Sequence, residues 1–364
     1  MSLSTVQRSM QRAGSLRLDR VDWRDRSHAR HVVARTATEI EARIVDLRQE
    51  LRATSDLGEY GAVAIHRVLL DRGEPNVPAV RTIHRILARR GVLDGQRRVR
   101  RPAPPPGWYL PDVASGRAEL DSFDFVEGLV IQNGPHVEVL NGVSLHGGLV
   151  GSWPGSIFTA AGTMSTLLTH WQTVGLPAYA QFDNDTRFQG PHQHRDVVSR
   201  VMRLCASLGV TPVFAPPREH GFQNAVENLN GRWQQKVWSR FHHQSLDALQ
   251  QCSNRFVAAT RVRRAARLAA APSRPAIATT WHLDLQAPPR GRAIFLRRTT
   301  DTGAVVVLGH TIAVDPLWPH RLVRCEVNFD THVIQFHRLR RREPLDQPLL
   351  NEVRYVLPQR RFKE

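Results

Sequence analysis

Three acidic residues stand where carboxylates could meet a divalent cation: Asp121 in a strand-like run, Asp183 at the end of LPAYAQFDND, and Glu227 near the start of QNAVENLNGRW. Carboxylate oxygens are hard ligands suited to Mg²⁺ or Mn²⁺, and Mg²⁺ keeps some water and takes further ligands from phosphate. Three converging acids could hold two ions about 3.5–4 Å apart, one activating a water or hydroxyl and the other stabilising the leaving oxygen of an in-line displacement at phosphorus. Asp124 competes with Asp121. Side chains three apart on a strand point to opposite faces, so only one of the two can face Asp183.

The flanking sequence supplies elements to position these acids. AELDSFDFVEGLVI alternates, Asn133-Gly134 signals a hairpin, and HVEVLNGVSLHGGLVG holds two further strand-like runs. Helix then alternates with strand: a helix over 156–175, a strand in LPAYAQFDND, a helix over 195–208, a strand in VTPVFAP and a helix over 223–240. A longer helix near 246–270 carries Arg261, Arg263, Arg264 and Arg267. This order predicts an α/β (α+β) domain over 118–285 built on a mixed sheet, as in a ribonuclease H-like fold. The first and fourth strands of such a sheet are neighbours, so an acid on the first converges with Asp183 while a flanking helix brings Glu227 over the strand ends.

Residues 1–35 are basic and weakly patterned and read as an arm that orders on DNA or a partner subunit. Three short amphipathic helices are expected over 36–96. Thr36 and Glu39 cap the start of a stripe of Ile40, Ile44, Leu47 and Leu51, and the second helix turns Ile65, Val68 and Leu69 inward. Pro78 opens the third, with Val80, Ile83, Ile86 and Leu87 as its apolar face, and the tight turn before it makes a helix-turn-helix. Arg81, Thr82, Arg85 and Arg89 then point outward, where a helix in the major groove meets phosphates and base edges. Arg97, Arg98, Arg100 and Arg101, followed by PAPPP, make a stiff basic linker over 97–117 suited to tracking a DNA backbone. Five strand-like runs over 286–345 predict a small β-barrel, with a tail over 346–364.

Fifty Lys and Arg against 33 Asp and Glu leave a net charge of +17 over 364 residues, enough to attract a polyanion in a salt-dependent way. Cys205, Cys252 and Cys325 lie far apart, which argues against a disulfide framework or a thiolate zinc site and fits a reducing cytoplasm. The histidine pairs His192/His194 and His242/His243 lack a second pair at zinc-finger spacing. No run approaches the ~20 apolar residues of a membrane span, and MSLSTVQRSMQRAG has no apolar signal core.

On these residues the chain resembles the transposases of bacterial insertion sequences, of the DDE superfamily, that carry a retroviral-integrase-type catalytic core. The resemblance runs from about residue 58 to near 280. The family's first acid follows an aromatic-containing lead-in, matched by GWYLPDVASGRAELDSF, and that spacing favours Asp121 over Asp124. Its second opens an Asp-Asn-Gly-x-x-Phe turn, matched by Asp183-Asn184-Asp185-Thr186-Arg187-Phe188, with Asp185 in place of glycine. Its third sits in a Pro-Pro…Val-Glu-x-x-Asn pattern, matched by Pro216-Pro217 and Val226-Glu227-Asn228-Leu229-Asn230, with Gln223-Asn224 where Asn-Gly is usual. The interval between the last two acids, 227 − 183 = 44 positions, is longer than usual by a loop that falls in QGPHQHRD.

The resemblance implies a DNA transposase or integrase that binds the double-stranded ends of a mobile element. It implies cleavage and joining to target DNA with two Mg²⁺ or Mn²⁺ ions at Asp121, Asp183 and Glu227. Pairing two ends implies at least a dimer, in a bacterial cytoplasm at the nucleoid, and the C-terminal segment would correspond to an SH3-like barrel. The alternative is an inactive integrase-like DNA-binding regulator, against which the retention of all three acids weighs.

Overall fold

The computed structural model describes residues 3–21, 36–93, 107–191, 193–219, 221–341 and 345–363. The linker arginines Arg97, Arg98, Arg100 and Arg101 lie outside them. The chain divides into two compact units, one of Met1–Gln49 with Gly61–Leu93 and one of Glu50–Tyr60 with Asp94–Glu364.

The first unit is helical. Helix α1 (Leu3–Ala13) lies in the segment read as a weakly patterned arm, and α2 (Thr38–Thr54), α3 (Ala62–Asp71) and α4 (Val80–Arg89) follow. The apolar spacing forms the core as expected: Ile44, Leu47, Ile65, Leu69, Ile83, Ile86 and Leu87 are all buried. Gly73 ends α3 at φ +67°, a left-handed conformation that glycine adopts without penalty. Glu41 is buried on α2 and accepts two arginines from the end of α4, Arg89 and Arg90, the latter through Nε at 3.2 Å.

The second unit is built on one large mixed sheet. A short helix α5 (Pro111–Ala114) leads into the antiparallel meander β1 (Leu120–Val130), β2 (His136–Ser144) and β3 (Val150–Gly155). Then come α6 (Ala160–Val174), β4 (Tyr179–Phe182), α7 (Thr186–Gln189), α8 (Arg200–Ser207), β5 (Thr211–Phe214), α9 (Asn224–Trp233), α10 (Leu246–Arg263) and α11 (Ala265–Ala269). Beyond α9 the chain continues as a π-helical turn over Gln234–Trp238. The last strands are β6 (Arg292–Arg298), β7 (Ala304–Val307), β8 (His310–Ala313), β9 (Leu322–Asn328), β10 (Val333–Arg338) and β11 (Leu349–Arg354). The order β3-β2-β1-β4-β5, with β4 and β5 parallel to β1, is the mixed arrangement expected of a ribonuclease H-like core.

The C-terminal strands differ from expectation. Instead of closing into a separate barrel, β6 pairs in parallel with β5, and β9, β10 and β11 extend the same sheet to nine strands. The run Ala293-Ile294-Phe295-Leu296 explains this, since all four residues are buried, as in a central strand covered on both faces. Ala293 and Phe295 join the core with Phe182 and Phe214, while Ile294 and Leu296 pack with Trp108 and Tyr109. The segment read as a tail supplies the edge strand β11. Among the described residues, β7 and β8 stand apart as a two-stranded hairpin.

Candidate active site

Strand alternation on β1 sorts its two aspartates. Asp121 shares a face with Phe123, whose ring lies 6.0 Å from Trp171 of α6 and 5.7 Å from Phe182. There the Asp121 carboxylate, 2% exposed, accepts Arg274 Nη1 at 2.8 Å and Nη2 at 2.7 Å, and Trp171 Nε1 at 3.2 Å. Its oxygens are occupied on the α6 side of the sheet. The structure therefore does not bring Asp121 together with Asp183 and Glu227, which corrects the expectation drawn from the lead-in.

Asp124 takes the other face with Val126, which packs against Val226, Leu229 and Trp233 from α9. The parallel register pairs Ser122 with Gln181, and continuing it by two residues sets Asp124 beside Asp183. Asn230 on α9 donates Nδ2 to Asp124 Oδ2 at 2.7 Å, and Asn141, across from Asp124 on β2, donates to Asn230 Oδ1 at 2.8 Å. Burial, with the negative charges of Asp183 and Glu227 adding to it, pushes the Asp124 carboxyl up to about 7. Parity could have revealed this from sequence: Phe123 needs an apolar cover, so Asp121, on its face, would be buried with it.

Asp183 follows directly on β4. Its Oδ1 accepts the Asp185 amide at 3.0 Å, and burial raises its pKa. Asp185 sits at φ −60° as the N-cap of α7, so the glycine of the family pattern has no left-handed position to fill here. Asp185 and Glu138 hold Arg187, whose guanidinium lies 3.7 Å from the Phe125 ring centre. Phe188 is fully buried and stacks on Phe182 at 4.7 Å, anchoring the far end of the turn. Asn184 donates Nδ2 to Ala215 O at 2.7 Å, tying the ends of β4 and β5 together. Glu227 stands exposed in the first turn of α9, where the helix dipole favours a negative charge.

Asp124 on β1 and Asp183 after β4 are thus neighbours, and the charge of Glu227 on α9 reaches Asp124. Among the described residues no three His, Cys, Asp or Glu side chains stand close enough to hold a metal ion as they are arranged. The donor chemistry nevertheless fits a hard divalent cation: two of the acids are held toward their neutral forms by burial, and Asp124 also by its negative neighbours, a cost that a cation would relieve.

Of the residues expected to meet DNA, Arg81 and Arg85 are exposed on α4, Thr82 is half-buried, and Arg89 is engaged by Glu41. In the second unit, three arginines of the α10–α11 region brace the meander: Arg261 donates to Val150 O, Arg264 to Gly148 O and Arg267 to His146 O. The three cysteines are free and buried. No described helix is long and apolar enough to cross a membrane.

No protein-family model and no curated protein matches the chain. Among solved structures it is similar to a chain of the simian T-cell lymphotropic virus intasome, solved with a PP2A regulatory subunit, at 17% identity and a TM-score of 0.32, covering 53% of this chain and 63% of that one. It therefore spans less than two thirds of that chain's length. It is also similar to the catalytic core domain of BIV integrase, at 16% identity and a TM-score of 0.29, over 38% of this chain and 81% of that one. A third similarity is to the HTLV-2 integrase catalytic core domain in complex with magnesium, at 17% identity and a TM-score of 0.28, over 36% of this chain and 81% of that one. At these TM-scores the fold description rests on the strand order and register themselves.

Proposed function

We propose that this protein is a DNA transposase or integrase that binds the ends of a mobile element and joins them to target DNA, with Asp124, Asp183 and Glu227 as its acidic triad. The observation that carries the reading is the register of β1 on β4, which sets Asp124 beside Asp183 on the face that α9 covers with Glu227. In this reading Asp121 is structural, its carboxylate being taken up by Arg274 and Trp171.

A pair of Mg²⁺ or Mn²⁺ ions bound by the three acids would activate the attacking hydroxyl and stabilise the leaving oxygen. The chain's own residues prepare the site. Asn230, oriented by Asn141, holds the Asp124 carboxylate; the Asp185 amide fixes Asp183; and the start of α9 presents Glu227. The helix α4, through Arg81, Thr82 and Arg85, would read the element ends, and the net charge of +17 supports a polyanionic substrate. Joining two ends calls for a homodimer or larger assembly.

The test is a strand-transfer assay on labelled duplexes carrying the element's own ends, with either metal, run beside a gel shift. Wild type should nick and join, whereas Asp124→Asn and Glu227→Gln should bind the same duplex and join nothing. Specific binding without cutting by wild type would identify an integrase-like regulator with an inactive core. Full activity in Asp124→Asn would remove that residue from the triad.

A further inference from the structure

A groove of about 530 Å³ opens beside Asn184, the neighbour of Asp183, between the α/β core and the C-terminal strands. Its walls are largely apolar, with Val197 and Pro217 on one side and Val305, Val306 and Leu308 from the β7–β8 hairpin on the other. One charge lines it without a counter-charge. Arg297, half-buried on β6, bonds through Nη1 to Leu296 O at 2.9 Å and Ala215 O at 3.5 Å, and through Nε to Val306 O at 3.3 Å; among the described residues it pairs with no carboxylate. Ala215 O also accepts Asn184, so one carbonyl links Arg297 to the turn that carries Asp183. Burial lowers the pKa of Arg297 to about 10, which leaves it cationic at neutral pH.

The groove is preformed. Asp196, on the loop before α8, donates its amide to Leu308 O at 3.0 Å, while its Oδ1 lies 2.6 Å from His310 Nε2 and accepts Tyr355 OH at 2.9 Å. These bonds clamp that loop onto the β7–β8 hairpin.

An apolar slot of a few hundred Å³ with one cation free of a carboxylate, beside Arg298, which pairs with Glu219, suits a ligand that has a flat apolar body and one anionic group. A desolvated guanidinium gains most from an anionic partner such as phosphate, and with Nε and Nη1 of Arg297 bonded to carbonyls it is Nη2 that would meet it. Free duplex does not fit, because its bases are stacked and paired. We infer that this groove receives one unpaired nucleotide of the DNA strand that enters the acidic site, its base between Val197 and the β7–β8 hairpin and its phosphate on Arg297. The inference rests on the DNA reading above and names a feature of the substrate that the triad does not: an unpaired nucleotide adjoining the reacting phosphate.

The test measures affinity of the full-length protein, without divalent metal, for a fluorescent blunt duplex and for the same duplex ending in one unpaired nucleotide. Wild type should prefer the overhang about tenfold. Val306→Trp, which fills the groove from an exposed position, and Arg297→Gln should abolish the preference while Arg297→Lys keeps part of it, and Val306→Trp should bind blunt duplex as wild type does. Deoxynucleoside monophosphate should erode the wild-type preference by competition. Equal affinity for both duplexes, or a preference that survives Val306→Trp, overturns the inference while leaving the DNA reading intact. Monophosphate binding to the groove with no overhang preference also overturns it, making a free nucleotide the occupant. Absence of binding to either duplex removes both readings.

Discussion

Asp121 and Arg274 form a two-pronged ion pair, 2.7 and 2.8 Å, that fastens β1 to the segment following α11 and is nearly sealed from solvent. Arg274 also donates to Val174 O and Gly175 O, so one side chain joins β1, the end of α6 and its own segment. Removing one member of such a pair strands the other, at a cost of roughly 3–5 kcal/mol. Asp121→Asn should therefore lower the urea midpoint strongly. Asp124→Asn should leave it unchanged or raise it, because it removes a charge that Asp183 and Glu227 repel. Equal stability of the two variants would return Asp121 to candidacy for the triad.

The pH dependence of the metal-free protein follows from Asp124. Its folded pKa of about 7 lies above the ordinary 3.8, so the folded state holds the proton more tightly than the unfolded chain. That contribution is fully present below 3.8 and is lost as pH rises to about 7. Burial and the negative charges of Asp183 and Glu227 set the window. Thermal scans should show wild type losing stability across this range relative to Asp124→Asn, and added Mg²⁺ should restore it at the upper end. Parallel curves for the two proteins would remove Asp124 as the source.

Asn230 is the hinge of a buried polar chain from Asn141 to Asp124. In Asn230→Ala the Asn141 amide is deprived of its acceptor in a position with no exposure, and leaving such a donor unpaired costs about 1–3 kcal/mol. Chemical denaturation should register that loss, and Mn²⁺ titration should show weaker binding because Asp124 is no longer oriented. A variant as stable as wild type would mean that the chain does not constrain Asp124.

Much of this was legible in the sequence. The alternating run through β1 and the Asn133-Gly134 turn gave the meander, and the 3.6-residue stripe through Ile83, Ile86 and Leu87 gave α4. Asp183 and Glu227 lie at the strand end and helix start that their flanking patterns implied. What was missed turns on parity and on burial from two sides. Spacing from the aromatic lead-in favoured Asp121, yet the face shared with Phe123 decides its surroundings, and a lead-in does not fix a face. The unbroken Ala293-Ile294-Phe295-Leu296 run was a central-strand signal, but five short runs with Gly and Pro between them also match a small barrel. Arg261, Arg264 and Arg267 were placed on their helix but given no role, because their carbonyl partners on β3 and the preceding turn come from about 111–122 positions away and have no local signature.

The arginines of α4 divide in the same way, and a paired measurement separates them. Arg85 is exposed on the outward face, while Arg89, with Arg90, closes over the buried Glu41 of α2. Deleting a side chain that hydrogen-bonds a base edge in the major groove weakens specific binding by about 1–3 kcal/mol and leaves random duplex little affected. Replacing Arg89 instead removes part of the compensation of a buried carboxylate, a cost that appears in folding before it appears in binding. Arg85→Ala should therefore keep the wild-type melting curve and lower affinity for the element's ends about tenfold or more, with random duplex nearly unchanged. Arg89→Ala should lower the melting midpoint and weaken both DNAs together as the helical unit loosens. If Arg85→Ala weakens both DNAs equally, Arg85 meets phosphate rather than bases; if it weakens neither, α4 is not the reading helix, and the surface that meets the DNA ends must be sought on another face of the protein.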